Sequence, residues 1–271
     1  MKLRLTLLSI AAAAVHGQAI AHDTWFERQG SQAEGLRLLL GTGTQFPSFE
    51  TGIDERYLAT QGCRRAGAGD AAVAPMKPAG QAQAALILHA PADASSCWAQ
   101  LLPLQIELPA AKIETYLHEI QASAELRATW AEMAGRGLPW VERYTKHARV
   151  ELGGAAPAPA AMSMDMVVEG STLLRVGDTV RVQVLRDGQP LPAFAVEWRV
   201  DASRLGIWRR TDADGRVELK LPIAGQWLLR GVDLRRSETE RDAWESRFVT
   251  LSLQVLPPAL PRAVGGSVSN R

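Results

Sequence analysis

The sequence predicts a mainly β protein with a small helical segment: an N-terminal β-rich domain with two or three helices, then a C-terminal immunoglobulin-like β-sandwich. Three observations predict it. Short runs that alternate polar and apolar residues, separated by turn signals, fill the C-terminal half. Helical periodicity is confined to the region between Pro109 and Gly135. Residues 153–161 consist only of Gly, Ala and Pro, the strongest domain boundary in the chain. The expected organisation is therefore a signal peptide over 1–21, the N-terminal domain over 22–152, a linker over 153–166, the sandwich over 167–257 and a flexible tail over 258–271.

In chain order, Lys2 and Arg4 precede an apolar run from Leu5 to Val15, and small residues follow up to Ala19-Ile20-Ala21. This is the layout of a secretory signal, and its apolar run is too short to span a bilayer. Cleavage after Ala21 makes His22 the first residue; cleavage after Ala19 makes it the third. Trp25-Phe26 and Leu36–Leu40 read as strands, and Gly41–Gly52 as a loop with exposed aromatics. Ala66–Gln83, rich in Ala, Gly and Pro, reads as a surface connection. Ala84–His89 and Ser96–Leu101 read as two more strands.

Ile113, Tyr116, Leu117 and Ile120 stand at i, i+3, i+4 and i+7, one buried stripe on a helix with Pro109 in its first turn. A Ser123 cap opens a second helix that stops at Gly135-Arg136-Gly137. Trp140–Val150, dense in charge and aromatic rings, reads as a solvated surface or a sheet edge. Beyond the linker, Thr179–Leu185, Phe194–Val200, Val217–Leu221, Gln226–Val232 and Phe248–Val255 read as strands, with Asp187-Gly188 as a hairpin turn. Asp212-Ala213-Asp214-Gly215 lacks the further carboxylates of a calcium loop and reads as a tight turn.

With 46% apolar and 22% charged residues the chain can bury a core. Removing Lys2 and Arg4 takes 30 basic residues to 28 against 29 acidic ones, a near-neutral balance that argues against a nucleic-acid partner. An exported protein meets an oxidising compartment, so the only two cysteines, Cys63 and Cys97, are expected to pair. No CxxC and no His/Cys cluster at zinc spacing occurs, and no nucleophile elbow marks an esterase. His118-Glu119 lacks the second His of a zinc-protease helix, because position 122 is Ala. Met162, Met164 and Met166 would share one face of a strand, as thioether ligands for Cu(I) or as packing.

His22-Asp23-x-Trp25, Tyr116-Leu117-x-Glu119-Ile120, Glu142–Arg149, Thr211–Gly215, Ala224–Leu229 and Trp244–Leu251 together resemble the NikM-like domain-of-unknown-function family of exported bacterial proteins. The resemblance implies a periplasmic protein linked to Ni(II) or Co(II) uptake that delivers the ion to a membrane-embedded transporter; read from its own residues, the chain is expected to be periplasmic or secreted and not an enzyme, with Cu(II) as a third ion that an N-terminal His could chelate. Many members carry Gly-His after the second strand, where this chain has Gly43-Thr44. An exposed N-terminal His offers an amine and an imidazole from one residue, a chelate for a borderline ion. The expected ligands are thus His22, with His89 or His147 adding an imidazole. Two other classes stand beside this one. One is a metal-free structural or adhesive module binding a protein or a glycan. The other is a copper oxidase of polysaccharides, for which the chain gives no sign of the flat substrate surface.

Overall fold

Period-two alternation dominates the chain, and the computed structural model, which describes residues 22–30, 36–66, 73–154, 158–201 and 203–259, turns it into three antiparallel or mixed sheets with two helices. Residues 1–21 of the expected signal peptide and residues 260–271 of the expected tail lie outside the described residues. The first half holds β1 (Asp23–Gln29), β2 (Leu36–Gly43), β3 (Thr51–Gly52), β4 (Leu58–Arg65), β5 (Val73–Ala74), β6 (Lys77–Ala82), β7 (Ala85–Ala90), β8 (Ala94–Leu101), β9 (Leu104–Leu108), α1 (Ala110–Glu119), α2 (Ala124–Gly135) and β10 (Trp140–Glu151). The second holds β11 (Met164–Glu169), β12 (Leu174–Arg175), β13 (Thr179–Arg186), β14 (Gln189–Pro190), β15 (Ala195–Val200), β16 (Ser203–Arg210), β17 (Arg216–Lys220), β18 (Gly225–Arg236) and β19 (Trp244–Leu256).

A ten-stranded sheet runs through both halves in the order β16-β15-β18-β19-β10-β8-β4-β5, with β12 beside β19 and β9 beside β10. Its joint is the parallel pairing of β10 with β19, nine residues long from Glu142↔Trp244 to Val150↔Ser252. A second sheet, β1-β2-β7-β6 with β3, covers the N-terminal end; a third, β11-β13-β14 with β17, covers the C-terminal end. The central sheet is therefore a wall common to three cores. Leu38, Leu40 and Leu88 pack against Cys63, Cys97 and Val150 on one flank, each such buried leucine being worth roughly 1.5–3 kcal/mol. Val182, Trp198, Leu229 and Leu251 fill the sandwich. Ile113, Leu117, Trp140 and Trp244 form the third core under the helices.

Local sequence accounts for most elements. In α1 the stripe Ile113, Tyr116, Leu117 is buried, and the Ser123 hydroxyl accepts the Leu126 amide at the start of α2. Asp187 and Gly188 both take positive φ, 51° and 75°, the primed turn that fits the twist between β13 and β14. Asp212 Oδ1 accepts the amides of Asp214 and Arg216, closing a turn by its own carboxylate. Met164 and Met166 open β11 inside the expected linker and are fully buried in the sandwich core, so their thioethers pack. Cys63 and Cys97 face each other across β4 and β8 and form the disulfide.

Two expectations need correcting. Phe46 and Phe49 of the 44–50 loop are half-buried on Trp25, Phe49 stacked at 4.8 Å between centroids. The stretch 140–150 is an interior strand with buried Glu142, His147 and Arg149, because each polar head has partners. Glu142 accepts from Tyr116 Oη and Trp140 Nε1, each at 2.8 Å, and from Ser246 Oγ; burial raises its pKa while the three donors oppose that. Arg149 donates to Glu151 at 2.6 Å and Asp165 at 2.8 Å.

Candidate functional site

The site begins with how β1 is held. Among the described residues β1 pairs only with β2, so one edge of its backbone has no strand partner there. Two hydroxyls of β19 take that role: Thr250 Oγ1 donates to the Thr24 carbonyl at 2.6 Å and Ser252 Oγ to the Phe26 carbonyl at 2.8 Å. Asp23, 3% exposed, pairs with Arg230 of β18 at 2.6 Å, and Arg230 also holds Glu197 of β15 at 2.7 Å. Burial works against the Arg230 charge, but Asp23 and then Glu197 raise its pKa above the ordinary value. Gly206 of β16 makes room for this arrangement, since a Cβ there would overlap the Glu197 carboxylate. The residue after His22 is thus fixed to the middle of the central sheet.

His22 itself stands at the start of β1 with 29% of its side chain exposed, and Nε2 lies 3.6 Å from Glu50 Oε2. Thr44 orients that glutamate: its amide and hydroxyl both donate to Glu50 Oε1. Burial, then the charge of Lys146 on β10, lower the His22 pKa, while Glu50, Asp23 and Glu119 pull it up. The balance favours a neutral ring, the form that ligates a metal. Lys146 is itself depressed to about 8 by burial, partly offset by Asp23.

Beside His22, Asp23 lines a cavity of about 210 Å³ whose other walls include His118 and Glu119 from the end of α1, Glu197 and Arg199 from β15, and Trp208 from β16. Both halves of the chain thus contribute to one polar hollow. It contains three carboxylates and two guanidiniums, and the buried Asp23 Oδ1 has no hydrogen-bond partner among the described residues. A bound ion or water in the hollow would satisfy that oxygen.

The other two histidines stand elsewhere. His89 is exposed on β7, opposite Arg37 on β2 and Lys77 on β6. Arg37 in turn lies opposite Gln29, so His89 is level with the far end of β1, more than roughly 20 Å from His22 at the rise of a strand. His147 is 1% exposed; Nδ1 meets the Phe248 carbonyl at 2.9 Å and Nε2 the Ser163 hydroxyl at 2.8 Å. Burial lowers its pKa to about 4, and both ring nitrogens are occupied within the fold. It follows Lys146 on a strand, so its ring projects to the opposite face from the side chain that acts on His22. Neither His89 nor His147 can share an ion with His22 in this arrangement. Among the described residues no three of His, Cys, Asp and Glu converge on one ion position. No helix among them is long and apolar enough to cross a membrane.

His22 stands out in the sequence, but its surroundings do not. Arg230 and Glu197 read as the polar positions of alternating strands, and their pairing across β15 and β18 with a residue 174 positions or more away has no local signature. His118-Glu119 was visible as a dipeptide, yet only the packing of α1 aims it at the hollow.

No curated protein matches the chain. Residues 109–232, from the start of α1 into β18, cover Glu119, Glu142, Glu197 and Arg199 and end just after Arg230; this stretch carries a domain of the family described as "Domain of unknown function (DUF4198)".

Proposed function

We propose that the protein is an exported carrier, without catalysis of its own, that chelates Ni(II), Co(II) or Cu(II) through His22 and passes the ion to a membrane transporter. The observation that carries this reading is the His22 ring, partly exposed and kept neutral beside a carboxylate at 3.6 Å, on a residue whose neighbour is clamped to Arg230. Once the signal is removed after Ala21, the α-amine of His22 joins its ring as a second donor from one residue. With removal after Ala19, the amine, two amide nitrogens and the ring would surround Cu(II) or Ni(II) in a plane. The clamp matters energetically, because a donor held in place loses less freedom on binding.

The test has two parts. Mass spectrometry of the exported protein fixes the first residue. Calorimetric titration with Ni(II), Co(II) and Cu(II) is then compared between wild type and His22→Ala. Binding lost in the variant supports the chelate, and equal affinity rejects it. Absence of binding in the wild type favours a metal-free module that docks a protein or glycan, a reading for which the 82% exposed Leu205 on β16 is the observation.

A further inference from the structure

We infer that the hollow lined by Asp23, Glu197 and Arg199 binds a small free amino acid as its zwitterion, with the ammonium on Asp23 and the carboxylate on Arg199. This site goes beyond the metal reading and needs no ion at His22. Four residues of the hollow form a row of alternating charges. Asp23 Oδ2 meets Arg230 at 2.6 Å, Arg230 meets Glu197 Oε2 at 2.7 Å, and the same Glu197 oxygen meets Arg199 at 2.9 Å. Both ends of the row are open. Asp23 is 3% exposed, yet its other oxygen, Oδ1, accepts no hydrogen bond among the described residues. At the far end Arg199 Nε is a buried donor without an acceptor among them, and a third nitrogen of that guanidinium reaches the Thr44 carbonyl only at 3.5 Å.

A ligand that fits must bring a donor to one end and an acceptor to the other. Hydrogen bonds with ionised partners are shorter and stronger than neutral ones, so an ammonium at Asp23 and a carboxylate at Arg199 answer these ends better than two hydroxyls do. Charge balance points the same way. The row itself has two carboxylates and two guanidiniums. Glu119 adds one negative charge to the wall, and Lys146, still charged at pH 7 and acting on Asp23, offsets it. A simple amine or a simple carboxylic acid leaves one end of the row unanswered and brings a net charge that nothing there neutralises. Size restricts the ligand further. The hollow, about 210 Å³, lies below the roughly 300 Å³ at which pockets for drug-sized molecules begin, so the side chain must be short. Trp208 gives that side chain an apolar wall, its ring centre 6.0 Å from the guanidinium carbon of Arg230 in the middle of the row.

L-Alanine is the probe. Processed wild-type protein is dialysed to equilibrium against radiolabelled L-alanine at pH 7 in EDTA, which strips any ion from His22. The expected result is one alanine held per chain, with unlabelled lactate, ethylamine and glycerol competing at least about tenfold less well than unlabelled alanine. Arg199→Met should weaken retention about tenfold or more, with Arg199→Lys between it and wild type, and His22→Ala should leave it unchanged. Asp23→Asn should weaken it as much; if that variant does not fold, the more exposed Arg199 decides. No retention by the wild type overturns the proposal, as does equal retention by Arg199→Met. Displacement by glycerol as readily as by alanine overturns it in favour of a polyol. Alanine held only when Ni(II) replaces EDTA also overturns it, leaving the His22 chelate standing with alanine as a ligand of the metal.

Discussion

Asp23 Oδ2 lies 2.6 Å from Arg230 Nε, so the residue next to the candidate donor is bound to the centre of a sheet contributed by the other half of the chain. Arg230 stands between Asp23 and Glu197, all three buried. Removing the shared cation strands Asp23 and leaves Glu197 with Arg199 alone, whereas removing the Asp23 charge leaves the Arg230–Glu197 pair. Arg230→Ala is therefore expected to cost more than Asp23→Asn, about 3–5 kcal/mol against roughly 1–3. Urea unfolding of both variants measures the order. Asp23→Asn, if folded, also weakens Ni(II) binding by loosening the start of β1.

Lys146 sets the pH response of the site. Burial holds it at about 8, so at pH 7 its charge stands near His22 and opposes a cation. Replacing it by Met should tighten Ni(II) binding about threefold to tenfold at pH 7. In the wild type, affinity rises with pH through about 8, as Lys146 and the α-amine lose their protons. Its folded pKa lies below the unfolded value of 10.5, so Lys146 also makes stability climb between about pH 8 and 10.5, a rise the Met variant lacks. A calorimetric pH series on both proteins checks the first claim, and chemical denaturation at alkaline pH checks the second.

His147 gives an acid window of opposite location. Its folded pKa of about 4 lies below 6.5, so the unfolded chain binds the extra proton between these values and stability falls as the pH drops through them. The loss approaches roughly 3 kcal/mol at the bottom of the window. Glu151, pushed up to about 7 chiefly by burial, runs the other way, losing stability as pH rises from 4.5 to 7. The two are separated by difference: wild type minus His147→Gln should show the histidine slope alone.

The disulfide closes a loop of 34 residues. On the chain-entropy account its loss costs about 3–4 kcal/mol. Cys63→Ser/Cys97→Ser should unfold at correspondingly lower urea, with Ni(II) affinity unchanged, since neither cysteine lines the hollow that Asp23 borders.

Much of the fold was legible because its signals are local: the α1 stripe, the Ser123 cap, the Asp187-Gly188 turn and alternation in β13, β15 and β19 each depend on near neighbours. What escaped depends on distant ones. The parallel pairing of β10 with β19 joins residues about a hundred positions apart, and it converts Glu142, His147 and Arg149 from an apparent charged surface into buried groups with partners. The same distance hid the site. Asp23, Thr44, Glu119, Glu197 and Arg199 carry no common motif, and only the docking of β1 and α1 onto the central sheet gathers them around one hollow.

The most direct measurement is Ni(II) titration of protein processed to begin at His22, beside the same protein with that amine acetylated and beside His22→Ala. The account predicts that either change weakens binding about a hundredfold. Undiminished affinity in both altered proteins would contradict it.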